Sequence, residues 1–140
     1  MAAGYSGTPL PRKLGIKPGH RVLLLGAPDG FESGTLGELP DGVRVIRRAA
    51  GTADVIVAFL TRRAPLQRRL PALRGLMEPA AGLWIAWPKR SSGVATDLTE
   101  DVVRGLALAN TLVDNKVCAI DETWSALRLV IRLRDRPGRE

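Results

Sequence analysis

Three short apolar runs constrain the fold of this chain more than any other feature of its sequence. They occupy residues 21–25, 54–60 and 83–87, and each is continuous in apolar residues rather than alternating with polar ones. Continuous runs of this length favour strands that are buried on both faces of a sheet. A helical pattern lies between the second run and the third, and this order of strand, helix and strand predicts a mostly parallel sheet with right-handed crossovers.

Two helical patterns accompany these strands. The first begins at Pro65 and has an apolar stripe with helical spacing, before Pro79 and Gly82 end it. The second begins with a capping box, in which Asp97 is the predicted N-cap and Glu100 reaches back to it. The stripes consist of Leu66, Leu70, Leu73 and Met77 in the first helix and of Leu98, Val102, Leu106 and Ala109 in the second. Both helices are expected to pack these stripes on a face of the sheet.

The other predicted strands have weaker patterns. Residues 43–47 alternate in part, and residues 116–120 form a short apolar run. Residues 127–133 alternate Leu and Ile with Arg128 and Arg132, which predicts an edge strand with one face in water. Because the link at 121–125 is short, the last two strands are expected to form an antiparallel hairpin.

The predicted fold class is α/β, in a single Rossmann-like three-layer domain with a mostly parallel sheet and a C-terminal antiparallel hairpin. A length of 140 residues fits one domain, which we place at residues 20–134. Residues 1–19 are rich in Gly and Pro and are expected to be an N-terminal loop segment, with one possible helical turn at 11–14. Residues 26–42 are expected to be loop with at most a short helix, and residues 135–140 a flexible basic tail.

The charge balance indicates an anionic partner. With 21 Lys and Arg against 14 Asp and Glu, the formal net charge is +7, and residues 62–74 are rich in arginine and free of acids. An excess of positive charge attracts phosphates at long range, so binding of nucleic acid through an arginine-rich face is one possible function. Aromatic residues make up only 4% of the chain, which argues against a sheet that stacks RNA bases.

Cysteine and histidine are too few for several kinds of site. Cys118 stands alone, so it forms no internal disulfide and no cysteine-based zinc site, and it is expected to be a small buried hydrophobe. His20 lies at the entrance of a strand, where it cannot complete a Ser-His-Asp set around the predicted site. We therefore predict no metal site and assign no catalytic residue. The absence of a secretory signal and of a long apolar run predicts a cytoplasmic protein without membrane contact.

A candidate site follows from the ends of the strands. In an open α/β sheet, ligands bind outside the carboxyl ends, where four loops would meet if their strands are parallel. These loops carry guanidinium, ammonium, hydroxyl, carboxylate and indole groups, and cations beside hydroxyls suit a phosphate or carboxylate. The candidate ligand-binding residues are Gly26, Asp29, Gly30, Thr61, Arg62, Lys89, Ser91, Asp121 and Trp124. Trp84 and Trp87 lie in an apolar strand and are expected in the core.

Residues 14–26 resemble the entry to the nucleotide-binding half of class I S-adenosylmethionine-dependent methyltransferases, with a Pro-Gly turn, an apolar strand and a glycine-rich loop. The resemblance implies a Rossmann-like fold over most of the chain. The chain departs from that pattern where the family has Gly-x-Gly-x-Gly, because Pro28 replaces the middle glycine. Leu24 stands where the family has one acidic residue. Arg47 and Arg48 replace the acid at the end of the second strand, which binds ribose hydroxyls in the family. We therefore predict no cofactor.

The chain as a whole is more similar to a bacterial family of short proteins, domain of unknown function 3052. The motifs that carry this similarity lie at residues 4–10, 14–16, 25–28, 87–89, 96–100 and 117–125. The similarity implies a stand-alone intracellular bacterial protein, and it brings no activity, substrate or catalytic residue with it.

Three functions remain open from the sequence. The first is a module that binds an anionic small molecule or a protein partner without robust catalysis. The second is a transferase, such as a methyltransferase with an altered glycine loop, with Asp29, Asp121 or Glu122 as a candidate base. The third is nucleic-acid binding through the arginine-rich face. The oligomeric state also remains open.

Overall fold

The computed structural model describes residues 7–136, and within them one sheet contains six strands in the order β2-β1-β3-β4-β6-β5. The strands are β1 (Arg21–Leu25), β2 (Arg44–Ile46), β3 (Ala53–Phe59), β4 (Met77–Pro88), β5 (Leu112–Ala119) and β6 (Trp124–Ile131). The strands from β1 to β4 pair in parallel, whereas β6 pairs antiparallel with both β4 and β5. The predicted α/β class, with its C-terminal antiparallel hairpin, is confirmed.

One face of the sheet is covered by two regular helices, α2 (Arg63–Gly75) and α3 (Glu100–Ala109). Their buried side chains join those of the sheet in one apolar cluster. The members contributed by the helices are Leu66, Leu70, Leu73, Val103, Leu106 and Ala107. Most of the stripe predicted for the first helix is therefore buried, whereas in the second helix Ala109 is exposed and Val103 takes a core position.

The opposite face is covered by the N-terminal segment and by a π-helix. The short helix α1 (Leu10–Lys13) and the π-helix (Phe31–Leu36) are the elements of this layer. Leu14 is fully buried here, and its carbonyl accepts a hydrogen bond of 3.0 Å from the indole Nε1 of Trp84. Trp84 and Trp87 are both core residues, as predicted. The segment that looked like loop in the sequence thus supplies part of the core.

The last strand is not at the edge of the sheet, so that prediction is wrong. β6 lies between β4 and β5, and β5 forms the edge. The alternation of Leu and Arg indicated a wet face, but Arg128 is half-buried because its guanidinium lies against Gly82 of the neighbouring strand. An arginine that packs over a glycine gives the same sequence pattern as a solvated edge.

The boundaries between α2 and β4 also differ from the prediction. The helix begins at Arg63 and ends at Gly75, and β4 begins at Met77 rather than at residue 83. The backbone N–H of Ala53 donates to the carbonyl of Leu76 at 2.8 Å, which starts the pairing of β4 with β3 early. Residues 78–80 are exposed, so this extension lacks the apolar pattern by which a buried strand is recognised. In the same way β5 and β6 begin at Leu112 and Trp124, before their apolar runs.

The predicted capping box is wrong as well. Thr99, not Asp97, caps α3, because its hydroxyl oxygen accepts a hydrogen bond of 3.2 Å from the backbone N–H of Val102. Asp97 instead accepts a bond of 2.7 Å from the backbone N–H of Arg63, the first residue of α2. Asp97 therefore caps the preceding helix from a distant position in the chain, where no local pattern could show it.

Candidate functional site

The loops that follow β1, β3, β4 and β5 lie at the same edge of the sheet, which we call the carboxyl edge. β1, β3 and β4 are parallel, and β5 runs in the direction of β4 because both are antiparallel to β6. The topology therefore places all nine candidate residues, which these loops carry, at one edge. The contacts between the loops decide how close the side chains come.

The loops after β4 and β5 are joined by the backbone. The N–H of Lys89 donates to the carbonyl of Thr123 at 2.7 Å, and Pro88 is the register partner of Trp124. Asp121 closes this turn, since one of its carboxylate oxygens accepts from the backbone N–H groups of Thr123 and Trp124, each at 2.8 Å. Lys89 and Trp124 are thus neighbours, while Asp121 has a structural role.

Three aromatic rings connect this turn to the loop after β1. The ring of Phe59 is 5.0 Å from that of Trp124, and Phe31 is 5.0 Å from Phe59, both in edge-to-face contact. Phe31 and Phe59 were not candidates in the sequence, because single aromatic residues next to apolar runs look like ordinary core. The three rings form a continuous apolar band along the carboxyl edge.

Gly26 is required by the neighbouring strand. Its φ is +72°, and a Cβ atom at this position would lie 3.1 Å from the carbonyl oxygen of Phe59. Gly30 also has a positive φ, of +79°, but a Cβ there would meet nothing within 4 Å. The first glycine therefore permits close packing of the loop on β3, and the second permits the turn.

A first cavity, of about 500 Å³, opens beyond the ends of β1 and β2, and we call it the β1 cavity. Of the candidate residues, Gly26, Asp29 and Gly30 line it. Glu32 and Arg47 line it too, and they form a bidentate ion pair with both N···O distances at 2.6 Å. Glu32 was not a candidate, because only the fold brings the π-helix against the end of β2.

The Glu32–Arg47 pair sets the electrostatics of the β1 cavity. The hydrogen bonds from Arg47 lower the pKa of Glu32, and the same bonds raise the pKa of Arg47. Both oxygens of Glu32 and two guanidinium nitrogens are occupied by this pair. Asp29 then leaves the cavity with a net negative charge, so the β1 cavity is unsuited to an anion.

A second cavity, of about 530 Å³, lies beyond the end of β4, and we call it the β4 cavity. Its charged lining residues are Lys89, Arg90 and Glu100. Glu100 also pairs with Arg104, at 2.5 Å, on the surface of α3. The hydroxyl-bearing residues Thr96, Thr99 and Ser125 complete the polar part of the lining. This cavity combines a net positive charge with hydroxyl groups.

The remaining candidates lie around these two cavities. Thr61 is half-buried, and its carbonyl accepts a hydrogen bond of 2.6 Å from the hydroxyl of Thr96, which ties the loop after β3 to the β4 cavity. Arg62 is exposed and is the N-cap residue of α2, while Ser91 is exposed in a 3₁₀ turn (Arg90–Ser92). The structure thus divides the candidate residues between the two cavities and the surface beside them.

Cys118 and His20 line neither of these two cavities. Cys118 is buried, and burial raises the pKa of its thiol, although the charges of Lys13 and Lys116 act in the opposite direction. His20 is at the amino ends of the strands, where its Nδ1 accepts a hydrogen bond of 3.1 Å from the backbone N–H of Lys17. Across residues 7–136, the structure has no group of three or more His, Cys, Asp or Glu side chains that could hold a metal ion.

Solved structures of methyltransferases are similar to this chain in fold. A SAM-dependent methyltransferase from Aquifex aeolicus has a TM-score of 0.63 and 18% identity, over 88% of each chain. The fibrillarin pre-rRNA processing protein of Methanococcus jannaschii has a TM-score of 0.59 and 13% identity, over 82% of this chain and 67% of that one. Magnesium protoporphyrin IX methyltransferase of Synechocystis PCC 6803, solved with bound SAH, has a TM-score of 0.54 and 11% identity, over 82% and 75%.

These identities are too low to show more than the fold. Two other methyltransferases of similar fold are matched over only 49% of their own length. No family model matches the chain. No curated protein has a significantly similar sequence. Among the described residues, no helix is long and apolar enough to span a bilayer. The Rossmann-like, methyltransferase-like fold is confirmed, while the similarity to domain of unknown function 3052 stays a prediction.

Proposed function

We propose that this protein binds a small molecule with one anionic group, a carboxylate or a monophosphate, at the carboxyl edge and transfers no methyl group. The observation that carries the proposal is the position of Lys89. Its backbone is fixed by the hydrogen bond to Thr123, and its half-buried side chain lines the β4 cavity. A cation held at the carboxyl end of a central strand is suited to bind the charged group of a ligand.

The surroundings of Lys89 support the same assignment. Leu98, Thr99 and Glu100, at the beginning of α3, line the β4 cavity, so the positive end of the helix dipole faces it. Arg90 adds a second positive charge, and the hydroxyl of Ser125 is a possible hydrogen-bond donor. The exposed apolar residues of the lining, Val94 and Ala95, would contact the uncharged part of the ligand.

The β1 cavity departs at two positions from the pattern of S-adenosylmethionine sites, at the end of β2 and in the glycine loop. A ribose needs acceptors for its hydroxyl groups, but the residue at the end of β2 is Arg47, which only donates. Both oxygens of Glu32 already accept a hydrogen bond from Arg47, which leaves Asp29 as the carboxylate of this lining without an ion pair among the described residues. Pro28 has no backbone N–H to offer to a ligand. We therefore derive no step that uses this cofactor.

A methyltransferase with an altered glycine loop is the second candidate, and the names of the structural neighbours favour it. Asp29 would be the base, because it is exposed in the β1 cavity, whereas an oxygen of Asp121 is held by two backbone N–H groups. Titration of the protein with S-adenosylmethionine in a calorimeter separates the two candidates. We expect no heat of binding, and a micromolar dissociation constant would favour the methyltransferase.

Thermal unfolding with acetate, inorganic phosphate or adenosine monophosphate tests the proposal. A ligand at ten times its dissociation constant stabilises the folded state by about 1.4 kcal/mol, which raises Tm by roughly 3–6 °C. The variant Lys89→Ala should lose this shift while it keeps the melting temperature of the free protein. The control, Arg68→Ala on the surface of α2, should keep the shift because Arg68 is exposed and does not line the β4 cavity. If none of the three probes raises Tm, or if Lys89→Ala responds like the wild type, the proposal is wrong.

The remaining predictions from the sequence have no specific contact in their favour. A protein partner, a cytoplasmic location and a bacterial family of short proteins stay predictions. Nucleic-acid binding through α2 would require its exposed arginines, such as Arg68 and Arg69. It predicts an affinity for short RNA that falls steeply as salt rises, since phosphate contacts release counterions.

A further inference from the structure

A third cavity, of about 380 Å³, lies on the face of the sheet that the N-terminal segment covers, toward the amino ends of β3 and β4. We call it the amino-edge cavity. It is far richer in positive charge than the cavities of the carboxyl edge. Its basic lining residues are Arg12, Lys13, Lys17, His20, Lys116 and Arg128. The N-terminal segment, the start of β1 and the hairpin of β5 and β6 therefore all direct basic residues to one concave surface.

The two carboxylates of the amino-edge cavity are held by the sheet. Asp54 accepts a hydrogen bond of 2.8 Å from the backbone N–H of Arg21, which fixes it against the beginning of β1. Glu78 accepts a bond of 2.5 Å from the hydroxyl of Thr52. With five Lys or Arg and two acids in the lining, the cavity keeps a positive charge even when His20 is neutral.

Arg128 is the unusual member of this lining. It is half-buried, and burial, together with the charge of Arg136, lowers its pKa. Among residues 7–136 its guanidinium hydrogen-bonds only Asn115, at 3.4 Å, and pairs with no carboxylate. Its register partner on β5 is Lys116, a like charge. A half-buried guanidinium without an anion is costly, and an anion in the cavity would remove that cost.

Gly82 makes the position of Arg128 possible. Gly82 lies in the buried part of β4, and its backbone is not in the left-handed region, so its conformation does not require glycine. A Cβ atom there would lie 2.5 Å from Nε of Arg128 and 3.0 Å from its Cζ. A glycine inside a strand often marks a close approach by another group. Here it lets the guanidinium lie against the backbone of β4 at the wall of the cavity.

We propose that the amino-edge cavity binds the oligophosphate group of a small molecule, that is, two or more linked phosphates. Basic side chains from several elements surround a concave space of about 380 Å³, so one phosphate could contact only some of them. Linked phosphates distribute their charge over the whole lining, and the planar guanidinium of Arg128 matches phosphate oxygens with paired N–H donors. This site is separate from the carboxyl edge and does not depend on the function proposed there.

Calorimetric titration of the full chain with tripolyphosphate and with inorganic phosphate tests this proposal. We expect the wild type to bind tripolyphosphate at least tenfold more tightly than phosphate. Arg128→Met keeps the length of the apolar stem without the charge, and it should weaken tripolyphosphate binding at least tenfold. Gly82→Ala keeps every charge but displaces the guanidinium, so it should weaken binding to a similar extent.

Two controls separate this site from the carboxyl edge and from misfolding. Lys89→Ala should leave the tripolyphosphate affinity within twofold of the wild type, since Lys89 does not line the amino-edge cavity. If circular dichroism shows that Arg128→Met is unfolded, Lys116→Gln replaces it, because Lys116 is exposed and should change only the charge. A loss of affinity in Lys116→Gln would support the site in that case.

Three results would overturn the proposal. The first is that the protein does not bind tripolyphosphate. The second is that neither Arg128→Met nor Gly82→Ala changes the affinity for tripolyphosphate. The third is that the protein binds a twelve-nucleotide RNA through Arg128 but does not bind tripolyphosphate. The third would assign the surface to nucleic acid. None of these outcomes bears on acetate or monophosphate binding at Lys89, so the two proposals can fail separately.

Discussion

The two edges of the sheet differ in how their charges are arranged. At the carboxyl edge, Glu32 is paired with Arg47, and Asp97 and Asp121 accept hydrogen bonds from backbone N–H groups. At the amino edge, basic residues outnumber acids around one cavity, and Arg128 has no carboxylate partner among the described residues. The carboxyl edge is where ligands bind in folds of this kind, yet the larger excess of basic residues lines the amino-edge cavity. The fold alone therefore predicts a ligand site at the carboxyl edge and none at the amino-edge cavity.

Trp84 and Trp124 both pack on the face of the sheet that the N-terminal segment covers, and their substitution has the largest expected effect. Trp84 is fully buried and holds the N-terminal segment, while Trp124 is half-buried at the carboxyl edge. Trp84→Ala should lower the free energy of unfolding by about 3–5 kcal/mol, because it leaves a cavity and an unpaired Leu14 carbonyl. Trp124→Ala should cost about 1–2 kcal/mol, since less of its surface is buried. Urea unfolding measures both costs, and equal costs would mean that the difference in burial does not decide how much each tryptophan stabilises the fold.

Two glycines of the carboxyl edge provide the next test. Gly26 and Gly93 both have a positive φ, but only Gly26 is crowded, by the carbonyl of Phe59. Gly93→Ala should cost about 1 kcal/mol for its backbone conformation alone. Gly26→Ala should cost about 2–3 kcal/mol, because the loop must also move away from β3. The urea midpoints of the two variants, compared at constant m-value, measure these costs. If both variants lose a similar free energy of unfolding, Gly26 does not pack on β3.

Loss of either helix cap, Thr99 or Asp97, is expected to have a smaller effect on stability. Thr99→Ala and Asp97→Ala should each lower stability by about 1 kcal/mol, the usual cost of a lost N-cap. They should act on different helices, because Thr99 caps α3 and Asp97 binds the first N–H of α2. Hydrogen exchange should therefore accelerate at Val102 in the first variant and at Arg63 in the second. Acceleration at the same helix in both variants would contradict the assignment.

The smallest effect concerns the ion pair of the β1 cavity. The pKa of Glu32 is lowered in the folded state, so its contribution is complete above its unfolded pKa of about 4.3 and is lost as pH falls below that value. Glu32→Gln should lower Tm by roughly 1–2 °C at pH 7, and the difference should shrink steadily as pH falls below the unfolded pKa. Asp29→Asn in the same cavity is the control, because Asp29 has no ion pair within residues 7–136. A difference that does not shrink at all as the protein is acidified would exclude the ion pair as its cause.

Much of the fold follows from the sequence, because burial on two faces leaves a continuous apolar run. The strands β1 and β3 were predicted to within one residue for this reason. The early start of β4 was missed because its exposed residues have no such run, and the role of Asp97 because its partner is 34 positions away. The prediction of β6 as an edge strand was wrong because Arg128 packs on a glycine.

The candidate site was predictable only in part. That four loops share one edge follows from the direction of the strands. Which side chains meet there depends on register and on helix length, as with Glu32 and Arg47 or with Phe59 and Trp124. The amino-edge cavity could not be predicted from the sequence for the same reason, since its lining combines residues of α1, β3, β4, β5 and β6.

A ¹H–¹⁵N correlation titration with tripolyphosphate tests most directly the claim that the two edges differ. At low tripolyphosphate concentration, we expect the amide signals of Gly82, Lys116 and Arg128 to shift together along one binding curve. The signals of Lys89 and Gly93 should stay in place. Shifts centred on Lys89 and Gly93, or no shift at Arg128, would contradict the account.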